Sequence, residues 1–230
     1  MKTKLFPIAI ALFFVSASLQ AQILPGNVWV NPTFEIDPTA PGGGNWGKGG
    51  SDAGIDQWST AASLSPTHSL ASIDTGGFYG EWYGDQSLAS LGLNSGDTIA
   101  LHWHEIFSVG AGNEMRVTVR FLDALGNGPD NHFVLSGGIG GTNSPGWTGS
   151  LATSPFRARN ETLVVRTDLV NPVVTMRIAL VSGGPEIGTG QYIIDDLNVV
   201  LVPEPSTLAL LSVGGLVGLS VLLRRRKIAS

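Results

Sequence analysis

The chain has 230 residues, of which 31 are glycine, 13 are proline and none is cysteine, and its formal net charge is −5. The lack of cysteine excludes a disulfide scaffold and any thiolate metal site. A charged fraction of 13% without a heptad pattern excludes a coiled coil, and a negative charge without a basic cluster in the folded part argues against nucleic-acid binding.

Residues 1–21 have the pattern of a secretory signal peptide. Lys2 and Lys4 form the positive start, residues 5–15 are apolar, and Ala21 ends a run of small and polar residues suitable for cleavage. An uncleaved anchor is the alternative, but an apolar stretch of this length is too short to span roughly 30 Å of hydrocarbon. We therefore expect the mature chain to begin after Ala21.

Residues 22–202 show the two-residue alternation of β-strands and no sustained helical period. The alternating segments are 97–107, 114–121, 175–180 and 192–201, with shorter candidates near 27–30, 69–73, 86–91, 131–136 and 161–167. Stretches rich in glycine and proline separate them. Many short strands that each have one apolar face favour a single all-β domain, a two-sheet antiparallel sandwich, and we expect a jelly roll.

The order of segments in this domain resembles the jelly roll of carbohydrate-binding modules and galactose-binding-like domains. The segments that carry the resemblance are 31–35, 86–88, 93–99, 121–126 and 192–197. The chain departs from the family pattern at 137–160, which is long and rich in glycine and serine. The resemblance implies a β-sandwich that binds polysaccharide.

The same resemblance implies a structural Ca²⁺ site at Glu35 and Asp195, with Asp37 and Asp196 as possible further ligands. Carboxylate oxygens from distant parts of the chain suit this hard cation. Alternation independently places Asp195 on the core face of segment 192–201, together with Ile193, Leu197 and Val199, where a carboxylate needs a partner. The alternative is that Asp195 accepts backbone N–H groups and that Asp196 faces solvent.

His102 and His104 lie on one face of the predicted strand 97–107, opposite the apolar side chains. Preceded by Gly96, the pair is similar to the opening of the cupin metal motif, but the acidic residue expected a few positions later is absent. A metal-dependent, cupin-like enzyme therefore stays an alternative. We expect no catalytic residue and no enzymatic activity.

A ligand face is predicted from polar and aromatic side chains of the sandwich. It would combine the His102 and His104 pair with Arg116 and Arg120, all on polar strand faces, and with the loop aromatics Trp82 and Trp147. Such groups hydrogen-bond sugar hydroxyls and stack on sugar rings. The alternatives are a solvated face and aromatic lids over the ends of the sandwich.

The C-terminal residues form a second membrane element. Pro203, Glu204 and Pro205 precede a segment without charge at 206–223, which we predict to be a transmembrane helix. The basic cluster that follows it is expected to stay cytoplasmic; its arginines are Arg224, Arg225 and Arg226.

This order of features at 203–227 resembles the PEP-CTERM sorting signal. The resemblance implies export across the inner membrane of a Gram-negative bacterium, processing by an exosortase and an association with exopolysaccharide. Between residues 23 and 202 the chain carries seven Lys and Arg against seventeen Asp and Glu, a net charge of −10. That charge argues against binding to anionic lipid or nucleic acid.

The sequence thus predicts an exported, non-enzymatic protein of the cell surface or extracellular matrix. Its Ca²⁺-stabilised jelly roll would bind polysaccharide, and its C-terminal helix would hold it in the inner membrane before processing. Besides the cupin-like enzyme, a protein–protein adhesion module is the remaining alternative.

Overall fold

The computed structural model describes residues 26–50, 56–65, 67–75, 79–109, 114–128, 130–137, 155–167, 171–183 and 190–203. The predicted signal peptide at 1–21, Trp147 and the predicted transmembrane helix at 206–223 lie outside these ranges. Within them, no helix has both the length and the apolar character needed to cross a membrane.

The described residues fold almost entirely into antiparallel strands, as the alternation predicted. The single helical turn, α1, spans Leu88–Leu91 and begins where the Ser87 side chain accepts the Ser90 N–H. The strands are β1 Trp46–Gly50, β2 Gln57–Ser59, β3 Ser69–Asp74, β4 Tyr79–Ser87, β5 Thr98–Val109, β6 Glu114–Asp123, β7 Asp130–Gly137, β8 Arg157–Val164, β9 Val173–Gly183 and β10 Gly190–Leu201.

Two five-stranded sheets face each other. One has the order β1-β4-β9-β6-β7, and the other has the order β2-β3-β10-β5-β8. Four antiparallel pairs are nested along the chain, namely β3 with β10, β4 with β9, β5 with β8 and β6 with β7, and they fall alternately in the two sheets. This connectivity is that of a long hairpin rolled into a jelly roll, with β1 and β2 added at the edges.

The core lies between the sheets and is built from alternate side chains of strands in both sheets. Its largest fully buried members include Trp82, Trp103, Tyr192 and Phe34. The segment before β1 closes the sandwich beside β10, because Val28 N–H donates to the Val199 carbonyl at 2.8 Å. This hydrogen bond therefore attaches the segment before β1 to β10, the last strand of the domain.

A β-bulge in β10 changes which side chains of that strand face the core. The pairing with β5 runs from Asp195 opposite His104 to Asn198 opposite His102, which leaves one extra residue in β10. Asp196 adopts a left-handed backbone with a φ of 56° at this point.

The bulge corrects the predicted face of Asp195. Tyr192 and Ile194 face the main core before the bulge, and Leu197 and Val199 face it afterwards. Ile193 instead packs in a smaller cluster on the other side of the sheet. A strict alternation cannot continue through an inserted residue, so Asp195 lies with Ile193 and away from the main core.

Candidate functional site

Asp195 anchors the loop between β2 and β3. Its side chain is fully buried, and Oδ2 accepts hydrogen bonds from Leu64 N–H at 2.7 Å and Ser65 N–H at 2.8 Å. Oδ1 accepts the N–H of Asp196 at 2.8 Å, and the Ser65 hydroxyl adds a further bond to Oδ2 at 2.8 Å. Asp195 thus binds backbone N–H groups, which is the alternative that the sequence left open.

Glu35 holds the same loop a few residues further on. Its Oε1 accepts the N–H groups of Thr67 at 3.2 Å and His68 at 3.1 Å, and Oε2 accepts the Thr67 hydroxyl at 2.5 Å. The His68 ring stacks on Trp58 with ring centres 3.9 Å apart. The structure therefore brings both predicted calcium ligands to one loop, where each accepts hydrogen bonds.

The two carboxyl groups have opposite pKa shifts. Burial, supported by the neighbouring Asp196 carboxylate, raises the pKa of Asp195 from 3.8 to about 6, although the bonds from Ser65 and the Asp196 N–H oppose it. Partial burial would also raise the pKa of Glu35, but hydrogen bonds from Thr67, His68 and Ser65 outweigh it and lower that pKa to about 2. At neutral pH both carboxylates are ionised acceptors.

The surroundings of these carboxylates do not favour a cation. A Ca²⁺ ion needs six to eight oxygen ligands, whereas the oxygens of Glu35 and Asp195 already accept N–H and O–H donors that an ion would have to displace. The Asp37 carboxylate accepts a hydrogen bond from the Thr39 N–H, within its own turn, at 2.9 Å. In the part of the chain that the structure describes, no three His, Asp or Glu side chains are grouped to hold a metal. Calcium binding stays a prediction.

His102 and His104 lie on the outer face of β5 and contact different partners. His102 Nδ1 contacts the Asn160 side chain on β8, and His104 Nδ1 lies 3.4 Å from Asp196 Oδ2. Asp196 is only 1% exposed, so the alternative in which it faces solvent is wrong. The bulge turns its side chain under His104.

Glu105 is a buried charge that the sequence analysis did not assign to a site. It is fully buried on the core face of β5 and accepts bonds from Trp103 Nε1 at 3.0 Å and the Tyr192 hydroxyl at 2.5 Å. Arg157 of β8 donates to it from Nε at 2.9 Å. In the sequence, alternation already places Glu105 on the apolar face of its strand. A buried carboxylate needs a charged partner, so this position was a signal to look for a basic residue on another strand, such as those of β8.

The predicted ligand face is divided between the two sheets. The histidine pair lies on β5, whereas Arg116 and Arg120 lie on β6, which belongs to the other sheet. Both pairs point away from the core that separates them, because Leu101 and Trp103 on β5 and Met115 and Val117 on β6 are buried in it. The two pairs therefore occupy opposite outer surfaces of the sandwich.

The outer surface that carries Arg116 and Arg120 is here called the β4–β9–β6 face. Cross-strand pairing arranges it in rows, with Asp85 beside Arg177 and Arg177 beside Arg120. The next rows contain Tyr83 and then Glu81 with Arg116. The side chains that define the face are Glu81, Tyr83, Asp85, Glu114, Arg116, Arg120 and Arg177.

Tyr83 and Arg177 form the centre of this face. Asp85 accepts Arg177 Nε and Nη2 at 2.7 Å each, and this bidentate hydrogen bond raises the pKa of the Arg177 guanidinium. The guanidinium carbon lies 4.5 Å from the ring centre of Tyr83. A Cβ added to Gly47 would come within 2.7 Å of the ring, so this glycine is what lets the half-buried tyrosine lie close to β1.

Trp82 is a core residue and not a loop aromatic, which corrects the prediction. It lies in β4, is 1% exposed and donates its Nε1–H to the Ala71 carbonyl at 3.0 Å. The flanking glycines suggested a loop, but they make room for neighbours. A Cβ on Gly84 would lie 2.7 Å from the Trp46 ring, and one on Gly80 would lie 2.6 Å from the Ile73 carbonyl oxygen.

The described part of the C-terminal region ends at Pro203, two residues after β10. Val202 N–H still donates to the Thr98 carbonyl at 2.8 Å, and Pro203 is exposed. The remaining residues of the predicted sorting signal, which include Glu204, Pro205, Arg224, Arg225 and Arg226, lie outside the described residues.

Comparison with known families confirms that signal. Residues 201–227 match the family model described as the PEP-CTERM protein-sorting motif. The motif indicates export and cell-surface sorting in bacteria, with processing by an exosortase. The search of curated proteins gave no match to the chain.

Comparison with solved structures found matches of low sequence identity. The enzymatically active domain of bacteriophage CBA120 tailspike protein 4 is 15% identical, with a TM-score of 0.47 over 77% of this chain, which spans only 22% of that protein. The CBM22-1 xylan-binding domain from Paenibacillus barcinonensis Xyn10C is 11% identical, with a TM-score of 0.45 over 75% of this chain and 92% of its own. The N-terminal cellulose-binding domain from Cellulomonas fimi β-1,4-glucanase C is 17% identical, with a TM-score of 0.41, and the match covers 72% of this chain and 92% of that domain.

Proposed function

We propose that this chain is an exported, non-enzymatic protein of the cell surface or extracellular matrix of a Gram-negative bacterium, and that it binds polysaccharide through the β4–β9–β6 face. A signal peptide at 1–21 would direct export, and a helix at 206–223 would hold the chain in the inner membrane until an exosortase acts on the tail. The sorting motif begins at the last residue of β10, so the sandwich is complete before the tail starts.

The observation that carries the binding proposal is the stack of Tyr83 and Arg177, held in place by Asp85. The Tyr83 ring lies against the glycines of β1 and under the Arg177 guanidinium, and the part of the ring that stays exposed offers apolar surface to the C–H groups of a sugar ring. The paired Asp85 and Arg177 offer acceptors and donors to sugar hydroxyls without reorganisation. A preformed arrangement of this kind limits the entropy lost on binding.

The charge of the face suits an uncharged or weakly charged polymer. Three acidic residues and three arginines define it together with Tyr83, so it is balanced, although the domain from 23 to 202 carries −10. Arg116 pairs with Glu114 at 2.7 Å, and side-chain exposures of 25–33% for Asp85, Glu114, Arg116 and Arg177 keep these groups accessible. A strongly anionic polysaccharide would instead be repelled by the remainder of the domain.

The test is binding of the full chain to exopolysaccharide of the producing bacterium, by affinity electrophoresis in a detergent without a sugar headgroup. Loss of an aromatic contact of roughly 1.5–3 kcal/mol predicts that Tyr83→Ala weakens binding about ten-fold or more. The matched control is Phe156→Ala, which removes a partly buried aromatic side chain that packs against the other sheet. Equal binding by the Tyr83→Ala chain and the parent would refute the assignment of the face.

A further inference from the structure

A polar cleft lies between the segment that precedes β1 and the end of β4. Its volume is about 440 Å³, within the range of ligand sites. None of the seven described residues that line it carries a charge. The residues that line it include Val30, Gly44, Asn45, Gln86, Ser87 and Ser90.

Gln86 presents a buried donor to this cleft. It is 4% exposed, and its Oε1 accepts the Val30 N–H at 3.3 Å, which fixes the orientation of the amide. Its Nε2 has no hydrogen-bond partner among the residues that the structure describes. A buried N–H group without an acceptor destabilises the folded chain, so a bound acceptor atom would recover stability.

A second donor lies directly behind the cleft wall. Trp46 is 4% exposed, and its indole Nε1 is likewise without a partner within the described part of the chain. A Cβ on Gly44 would lie 3.0 Å from this nitrogen. The indole N–H therefore lies on the side of Gly44 that a side chain would occupy.

The wall that contains Gly44 is held rigidly. Asn31 Nδ2 donates to the Ile36 carbonyl at 2.7 Å and to the Gly43 carbonyl at 3.2 Å, so one side chain fastens both ends of the preceding turns. Gly44 and Asn45 have positive φ angles of 101° and 56°, which ordinary residues rarely adopt. A wall built in this way keeps its shape before any ligand arrives.

We propose that this cleft is a second binding site, separate from the β4–β9–β6 face, and that it takes an uncharged saccharide unit. Gln86 Nε2, which belongs to a lining residue, donates to an oxygen atom of the sugar. Asn45, Ser87 and Ser90 exchange hydrogen bonds with hydroxyl groups, which both donate and accept. An anion would find no countercharge among the lining residues and would enter a domain of charge −10.

The two sites use different side chains of β4. Asp85 and Gln86 are successive residues of β4, so their side chains point to opposite sides of the sheet. Asp85 belongs to the outer face, and Gln86 points inward to the end of the sandwich where the cleft lies. Each site can therefore be tested by a substitution of its own side chains.

The test is equilibrium binding of uncharged hexasaccharides of glucose, xylose, mannose and galactose to the full chain, with a hexamer of galacturonate as the anionic probe. Gln86→Glu keeps the acceptor for Val30 but replaces the donor with a second acceptor. We expect at least about ten-fold weaker binding of the uncharged probe. The matched control is Gln57→Glu, which makes the same charge change at an exposed position of β2.

The Ser90→Leu chain tests the cleft should Gln86→Glu fail to fold, because Ser90 is exposed on α1 and its replacement narrows the cleft. The proposal is overturned if no uncharged hexasaccharide binds, if only the galacturonate hexamer binds, or if the folded cleft variants bind as the parent does. Binding that is lost in Tyr83→Ala but kept in the cleft variants overturns the cleft alone and supports the β4–β9–β6 face. Binding that is kept in Tyr83→Ala and lost in the cleft variants supports the cleft.

Discussion

The substitution Asp195→Asn removes the charge that anchors the β2–β3 loop and leaves the shape of the side chain nearly unchanged. The pKa of Asp195 is raised from 3.8 to about 6 in the folded chain, so the folded state binds this proton more tightly than the unfolded state. The associated stabilisation is fully present below pH 3.8 and is lost as the pH rises through 6. Asparagine does not titrate and cannot show this gain.

The magnitude follows from the size of the shift. Each pKa unit corresponds to about 1.4 kcal/mol, and most of the interval between 3.8 and about 6 is crossed on acidification from pH 7 to pH 4. The free energy of unfolding of the parent should therefore rise relative to that of Asp195→Asn by about 2 kcal/mol over this range. Contributions from Asp56, whose pKa burial also raises to about 6, and from Glu35 are common to both chains and cancel.

The assay is urea unfolding of the full chain followed by tryptophan fluorescence at several pH values between 4 and 7. The control is Asp97→Asn, in which the side chain accepts only the N–H of its own turn residue Asn94 in the described part of the chain. This control makes the same change from Asp to Asn outside the β2–β3 loop. A difference between parent and Asp195→Asn that stays constant, or that shrinks on acidification, would refute the reasoning.

Three further predictions concern the core, the buried ion pair and calcium. Trp82→Ala should lower the free energy of unfolding by about 4 kcal/mol, because Trp82 is a core residue. A loss below about 1 kcal/mol in urea unfolding would contradict this assignment and favour a loop position for Trp82. Arg157→Met should cost about 2 kcal/mol or more in the same assay, because it weakens the pairing of the buried Glu105. The same substitution at Arg159, which lies 3.9 Å from Glu105, should cost less, and the reverse order would contradict this assignment. Treatment with EDTA should leave the melting temperature unchanged, because N–H and O–H donors already satisfy Glu35 and Asp195; a rise on adding Ca²⁺ would instead support the calcium site.

The two-residue alternation predicted most of the fold, because in a half-buried strand every second side chain faces the core. Strands β5 and β6 were found with their faces, since Leu101, Trp103, Met115 and Val117 mark the core side without interruption. β4 was missed for most of its length because its glycines were taken as turn residues. Only the packed fold shows that a side chain at position 84 would collide with the Trp46 ring. The sequence could not distinguish a glycine that makes room for a neighbour from a glycine that forms a turn.

The candidate site was harder to predict because it depends on which strands share a sheet. His104 and Arg116 are close in sequence, but the chain crosses between sheets from β5 to β6, so their side chains point to opposite surfaces. The bulge at Asp196 depends on a single left-handed residue that alternation does not reveal. The donors of Gln86 and Trp46 become conspicuous only when their missing partners are known.

The proposed function depends most on where the cell delivers this chain. Fractionation of the producing cells with antibodies to residues within 26–203 measures this location directly. We predict that the sandwich is found at the cell surface or in the surrounding matrix, shortened at both ends, and that deleting the exosortase leaves a longer form in the inner membrane. A full-length chain that remains in the cytosol in both strains would contradict the account.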